Sequence, residues 1–412
     1  MTGRKPVKVC RPINDMTEHP ADEWGVCADF SLVLGGPLFQ LLLRARLVKP
    51  SMELVHRRVL ASIAITWLPL AAMTLAAGSF LGGVSVPFLF DLDTHIRFLV
   101  SLPLLLVSEL IVHSRLRPLV GQFLREGLVA PQDRLRFDAI IASTWRLRNS
   151  VLAEVLLLAL SFVGGYWLWR TQVTLNVASW YAVPAAGSMN YTPAGYWYAF
   201  VSLPIARFIL FRWYFRLVIW YMFLWRLSRL RLRLNPLHPD RAGGLGFLNV
   251  SILAFAPVLT AQSMLLAGAI GNRIWHEGAK LPDFKLVMGC LVVFWALSVL
   301  LPLGFFAFEM VGAKRTALRD YGTLASNYAD KFALKWLHGD GTAGEELLGT
   351  PDIQSLADLA NSYDVVRGMR ALPLDRGAVV GLVLLIALPL VPLVLTMVPL
   401  SQIALQLVSL VL

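Results

Sequence analysis

The stretch "VLASIAITWLPLAAMTLAAGSF" (59–80) is one of several in which apolar residues run on without a break. A run of about 18 or more such residues is long enough to cross ~30 Å of hydrocarbon as a helix. Helices suit that setting because each backbone N–H and C=O finds its partner within the segment. The runs are continuous rather than alternating, which excludes a transmembrane β-barrel. Comparable runs cover 97–113, 151–169, 196–225, 248–271, 285–310 and 377–397. They predict an all-α polytopic transmembrane bundle of about seven spans. With 57% hydrophobic and only 15% charged residues, the 412-residue chain has the composition of such a bundle.

The charges orient it. Residues 31–58 carry Arg44, Arg46, Lys49, Arg57 and Arg58, residues 115–150 carry seven arginines against three acids, and residues 226–241 carry five arginines against Asp240. Residues 171–195 carry no charge, and 81–96 carry only Asp91 and Asp93. Basic loops stay in the cytoplasm, so the N-terminus is expected inside. The net charge of +11 is absorbed by this pattern, and no basic–aromatic nucleic-acid-binding module accompanies it.

Five regions follow. Residues 1–28 have no apolar core behind their basic residues and read as a disordered cytoplasmic tail rather than a signal peptide. Residues 29–50 read as an amphipathic helix on the cytoplasmic interface, 51–311 as the first six spans, and 312–376 as a cytoplasmic helical hairpin. Residues 377–412 hold the seventh span and an apolar tail too short to cross alone. The uncharged aromatic segment 171–195 either caps the outer mouth of the bundle or sits in the interfacial belt.

Three arginines, Arg207, Arg212 and Arg216, interrupt the fourth span. Each costs at least ~2.5–3.5 kcal/mol at mid-bilayer, so each requires a partner, water or a ligand. At ~100° per residue, Arg212 and Arg216 share a face while Arg207 points to the opposite side. Glu109, Glu154 and Glu309 lie at the depth of Arg216 and are the expected ion-pair partners. Arg207 lies just past Pro204, with no carboxylate expected near it. It either bonds backbone carbonyls freed by that proline or faces a hydrated, anion-attracting passage.

In "RLRLNPLHPDRAGGLGF" (231–247), Pro236 and Pro239 force turns, and Gly243 and Gly244 precede a helix start that favours an anion. His238, Arg241, Gly243 and Gly244 are thus a candidate site for anions or anionic headgroups at the inner mouth. His238 and Asp240 alone lack the further ligands of a metal site, and no metal or cofactor is expected. No Walker, GxSxG or HExxH motif occurs, so no catalytic residue is assigned. Pro389, Pro392 and Pro399 bend the last span, as in gating helices.

At "NPLHPDRAGGLGF", "PDIQSLADLANSYDVVRGMR" and "LPLVPLVLTMVPL" the chain resembles an uncharacterised family of bacterial multi-pass inner-membrane proteins. The resemblance covers most of the chain past about residue 30. It implies a place in the bacterial cytoplasmic membrane and carries no activity, cofactor or site with it. The residues themselves point first to an anion channel or transporter. A non-transporting scaffold or sensor with partner-binding cytoplasmic helices is the alternative, and a membrane enzyme acting on phosphate-bearing lipids through His238 and Asp240 is the third reading. The partners expected are the lipid bilayer, anionic headgroups and further copies of the chain.

Overall fold

The computed structural model describes residues 30–44, 54–168, 178–185, 188–338 and 350–395. The tail assigned to 1–28 and the apolar tail past 395 lie outside these residues. Helix α1 (Pro37–Arg44) is short. Helices α2 (Val55–Thr66) and α3 (Leu68–Ala76) form one apolar rod, with Pro69 in the first turn of α3, where its missing N–H leaves no bond unmade. Asp91 caps α4 (Leu92–His95), accepting the Thr94 N–H, and a π-helical turn (Ile96–Ser101) leads into α5 (Leu102–Arg125). Next come α6 (Arg134–Arg148) and α7 (Val151–Leu168).

A hairpin of β1 (Ala182–Ala185) and β2 (Ser188–Tyr191) pairs Ala182 with Tyr191. Thr192 caps α8 (Pro193–Trp197), and a second π-helical turn (Tyr198–Ser202) continues into α9 (Leu203–Leu227). The remaining helices are α10 (Asn249–Glu277), α11 (Lys285–Leu300), α12 (Ala307–Trp336), α13 (Pro351–Arg367), α14 (Arg376–Ala387) and α15 (Val391–Val394).

Among the described residues, six helical segments are long and apolar enough to cross a membrane: Val55–Ala76, Leu92–Arg125, Pro193–Leu227, Gly246–Glu277, Leu281–Trp336 and Arg376–Val394. The chain is therefore a multi-pass α-helical membrane protein. The run assigned to a third span is α7, an apolar helix of 18 residues. Its Leu152, Leu156 and Val163 point outward, at 70, 60 and 75% exposed, as side chains in contact with acyl chains do.

Helix α10 is the axis. Its fully buried face packs on α5 and α14. A Cβ at Gly268 would stand 3.2 Å from the Asp93 Cα, so the small residue lets the two backbones approach. At one end of the bundle Trp180, Tyr181, Tyr198 and Phe88 stack into an aromatic lid joined to the hairpin. A side chain at Gly195 would overlap the Tyr181 carbonyl oxygen, which locks α8 under that lid. At the opposite end α12 runs out beyond the bundle and packs on α13. There Asp352 accepts from both Lys335 and Trp336 at 3.0 Å.

The interfacial helix expected over 29–50 is corrected. Only Pro37–Arg44 is helical among the described residues of that region, and the residues before it enter the core. Phe30, Leu32 and Val33 are at most 2% exposed, and the Phe30 ring lies 5.1 Å from that of Phe223. The reason is tertiary: α6, α7 and α9 leave an apolar gap at this end that the segment fills.

Candidate functional site

Two buried charge clusters lie at different depths of the bundle, one nearer each end. The end reached by the last turns of α5 and α9 and the first turn of α6 is here the basic face, and the other is the hairpin face. At the basic face, Glu109 on α5 is the hub and is 3% exposed. It accepts from Arg58 on α2 and from Arg216 on α9 at 2.8 Å, and it faces Arg212 at 3.8 Å. Arg212 also faces Glu154 of α7 at 3.5 Å, and Glu154 accepts the Leu38 N–H at 2.8 Å. Arg212 and Arg216 reach the same carboxylate because residues four apart share a helix face. The Arg216 guanidinium lies 4.7 Å from the Trp213 ring centre.

Arg148, at the end of α6, donates to the Ser31 carbonyl at 2.5 Å and lines a narrow cleft with Gly35, Glu154, Arg212 and Arg216. Burial, then the charge of Arg216, push the Arg148 guanidinium down to about 10, so it stays cationic at neutral pH. Four guanidiniums (Arg58, Arg148, Arg212, Arg216) thus surround two carboxylates, and positive charge is in surplus. Two expectations are corrected here. Glu309 does not join Glu109 and Glu154: it is exposed beside Phe308 on the outward face of α12 and makes no ion pair among the described residues. Arg58 is no loop residue, because α2 begins at Val55 and carries it to the interior, where it is 6% exposed.

At the hairpin face, Arg97 Nη2 donates to both oxygens of Asp93, at 2.8 and 2.6 Å. Asp91 accepts from Trp180 Nε1 at 2.8 Å, Asn272 Nδ2 at 2.7 Å, and Thr94 Oγ1 at 2.7 Å. With the Thr94 N–H as well, its lone pairs are spoken for. Arg207, Asp93, Arg97 and Tyr198 lie within electrostatic reach of one another. Arg97 and Tyr198 sit on the two π-helical turns, a local geometry frequent at functional sites.

Arg207 is 9% exposed and makes no hydrogen bond or ion pair among the described residues; its Nη1 is buried without a partner. It therefore bonds no carbonyl near Pro204, and it stands in the packed interior rather than at an open hydrated surface. A carboxylate, Asp93, is close after all. By sequence Asp93 falls before the second apolar run, but the cap at Asp91 starts the helix early and draws it inside, to 5% exposed.

Three more buried groups without partners continue inward from Arg207: Ser101 Oγ, Ser263 Oγ and Gln262 Nε2. Gly268 of α10 abuts Asp93 and Ile96. Helix α10 runs antiparallel to the Leu92–Arg125 segment, so five residues inward on each puts Ser101 and Ser263 at one level, about 7 Å deeper. Tyr214, seven residues and ~20° from Arg207 on α9, donates to Gln262 Oε1 at 3.0 Å. The Arg207 face of α9 therefore looks toward these groups.

The 231–247 connection is corrected in its ligand. The Ala242, Gly244 and Gly246 N–H groups converge on a carboxylate at 2.7–3.2 Å, and it is the chain's own Asp240. Gly243 and Gly244 adopt φ of 68° and 93°, and Arg241 φ of 53°, to aim those donors inward. His238 Nδ1 lies 2.9 Å from Asp240 Oδ1, while Arg370 donates to the Asp240 carbonyl at 3.1 Å. Burial raises the Asp240 carboxyl, but the three N–H donors and His238 outweigh it and hold it below the ordinary carboxylate range. The anion position assigned to His238, Arg241, Gly243 and Gly244 is filled from within.

In the last span, Pro389 lies in a 3₁₀ turn (Leu388–Leu390) and Pro392 opens α15, so the helix changes course between α14 and α15. Pro399 lies outside the described residues. Among the described residues no group of three or more His, Cys, Asp or Glu side chains converges to hold a metal ion. No family model, curated protein or solved structure matches the chain.

Proposed function

We propose that the protein passes small anions across a bacterial cytoplasmic membrane as a channel or transporter, with seven crossings and its N-terminus inside. One observation carries this reading: Arg207 is a buried guanidinium without a protein partner. An unpaired cation inside a lipid-embedded bundle is costly, and an anion supplies what it lacks. The unpaired Ser101, Ser263 and Gln262 groups are the next donors inward, and the surplus of guanidiniums at the basic face holds the opposite end positive. Small hydroxyls and guanidiniums without a large cavity suit a compact monovalent anion.

The test is chloride and nitrate efflux from liposomes containing the full chain. Arg207→Ala is expected to lower flux about ten- to hundredfold, the weight of one charge-assisted hydrogen bond. Its thermal stability should stay close to that of the parent. Wild-type liposomes no leakier than empty ones would end the proposal, as would an Arg207→Ala protein with full flux.

A second reading has its own support. Leu324, Leu334, Leu337 and Ile353 are 46–73% exposed on the projecting α12–α13 hairpin, which suits a surface for partners or further copies of the chain. A lipid-phosphate enzyme using His238 and Asp240 is less supported, since both Asp240 oxygens are committed to backbone N–H groups.

A further inference from the structure

A groove opens between α6 and α9 at the basic face, separated from the cleft of Arg148, Arg212 and Arg216 by Ile219, which lines both. Leu147, Ile219 and Met222 form its floor, and Ser143, Thr144, Arg146 and Arg226 its rim. It encloses about 280 Å³, and no carboxylate lines it. Arg226 is steered toward the rim by a hydrogen bond to the Ser143 hydroxyl, and Arg146 is exposed and without an ion pair among the described residues. Helix α9 belongs to a membrane-spanning segment, and Arg226 is followed within eight residues by Arg229, Arg231 and Arg233. The groove therefore lies where hydrocarbon gives way to headgroups.

We propose that this groove binds one anionic phospholipid. The phosphate sits between Arg146 and Arg226, with the Ser143 and Thr144 hydroxyls beside it, and an acyl chain lies along Leu147, Ile219 and Met222. Charge complementarity favours an anionic headgroup over a zwitterionic one, at about fivefold per arginine near a membrane surface. The apolar floor favours a lipid over free phosphate, which leaves Ile219 and Met222 uncovered. The site is independent of the Arg207 reading, because it stands on other residues and has a binding readout.

Full-length protein in neutral detergent, titrated with phosphatidylglycerol, phosphatidylcholine or inorganic phosphate and read by native mass spectrometry, tests it. Phosphatidylglycerol should be retained roughly thirtyfold better than phosphatidylcholine, and it should raise the melting temperature by mass action. Joint substitution of Arg146→Gln and Arg226→Gln should abolish the preference. Met222→Trp, which fills the floor with the charges intact, should lower phosphatidylglycerol retention. Arg233→Gln, the same loss of charge outside the groove, should leave it unchanged. The proposal is overturned if the double variant keeps its preference, or if Arg233→Gln erodes the preference equally. It is likewise overturned if inorganic phosphate matches the lipid's melting shift, since the site would then be one for free phosphate.

Discussion

Replacing Glu109 by glutamine strikes the shared acceptor of three buried cations. Glutamine keeps the shape and one carbonyl acceptor but removes the charge to which Arg58, Arg212 and Arg216 are held. Glu154, 3.5 Å from Arg212, is then the remaining carboxylate of the cluster. Removing one partner of a buried ion pair costs ~3–5 kcal/mol. The three guanidiniums also repel, and two unit charges ~7 Å apart at an effective dielectric of ~20 add ~2 kcal/mol. Part of that is relieved as the side chains spread, so a net loss of ~3–5 kcal/mol is expected. Arg58→Gln removes one cation from a surplus and leaves Arg216 on Glu109 at 2.8 Å, so it should cost only ~1–2 kcal/mol. Combining the two should cost less than their sum, because each change relieves the other. Unfolding in mixed micelles at rising dodecyl sulfate, followed by tryptophan fluorescence, reads all three. If Glu109→Gln costs less than Arg58→Gln, the cluster is not organised around that carboxylate.

Two further outcomes are expected. Asp240→Asn should loosen the 231–247 turn by ~1.5–3 kcal/mol, since three N–H donors lose a charged acceptor. Because the folded Asp240 carboxyl lies below its unfolded value of 3.8, its stabilisation is complete above that value and lost as pH falls through the folded one. Melting curves of wild type and Asp240→Asn should therefore converge on acidification, and curves that stay parallel would refute the assignment. Reporter fusions after residues 130, 240 and 340 should read as cytoplasmic and one after residue 185 as external. A cytoplasmic signal at 185 would invert the orientation.

The apolar runs made the spans legible, because hydrocarbon length and backbone saturation leave few alternatives. The meeting of Arg216 with Glu109 follows from depth and charge, both readable along the chain. Arg58 was hidden because it sits at the edge of a basic loop, and only the start of α2 at Val55 draws it inward. Asp93 was hidden for the same reason at the other face, although its i,i+4 spacing to Arg97 is a local signal. The Asp240 turn also had a local signal. An aspartate followed by Arg-Ala-Gly-Gly can fold back on its own N–H groups, as short acidic side chains do. The burial of Phe30, Leu32 and Val33 had none, since the gap they fill is made by helices more than a hundred residues away.

The order of the charges along the chain bears on biogenesis. Three arginines make α9 unfavourable to insert by itself, at roughly 7–10 kcal/mol on translocon scales, and its apolar side chains at ~0.3–0.6 kcal/mol each offset only part of that. Both carboxylates that receive Arg212 and Arg216 are translated earlier, in α5 and α7. When α9 leaves the ribosome, its counter-ions are already in the bilayer. A chain stripped of Glu109 and Glu154 would therefore present the translocon with a segment that fails to stop and is carried through to the outer side, and the defect would appear during synthesis, before any folded protein exists to be unstable.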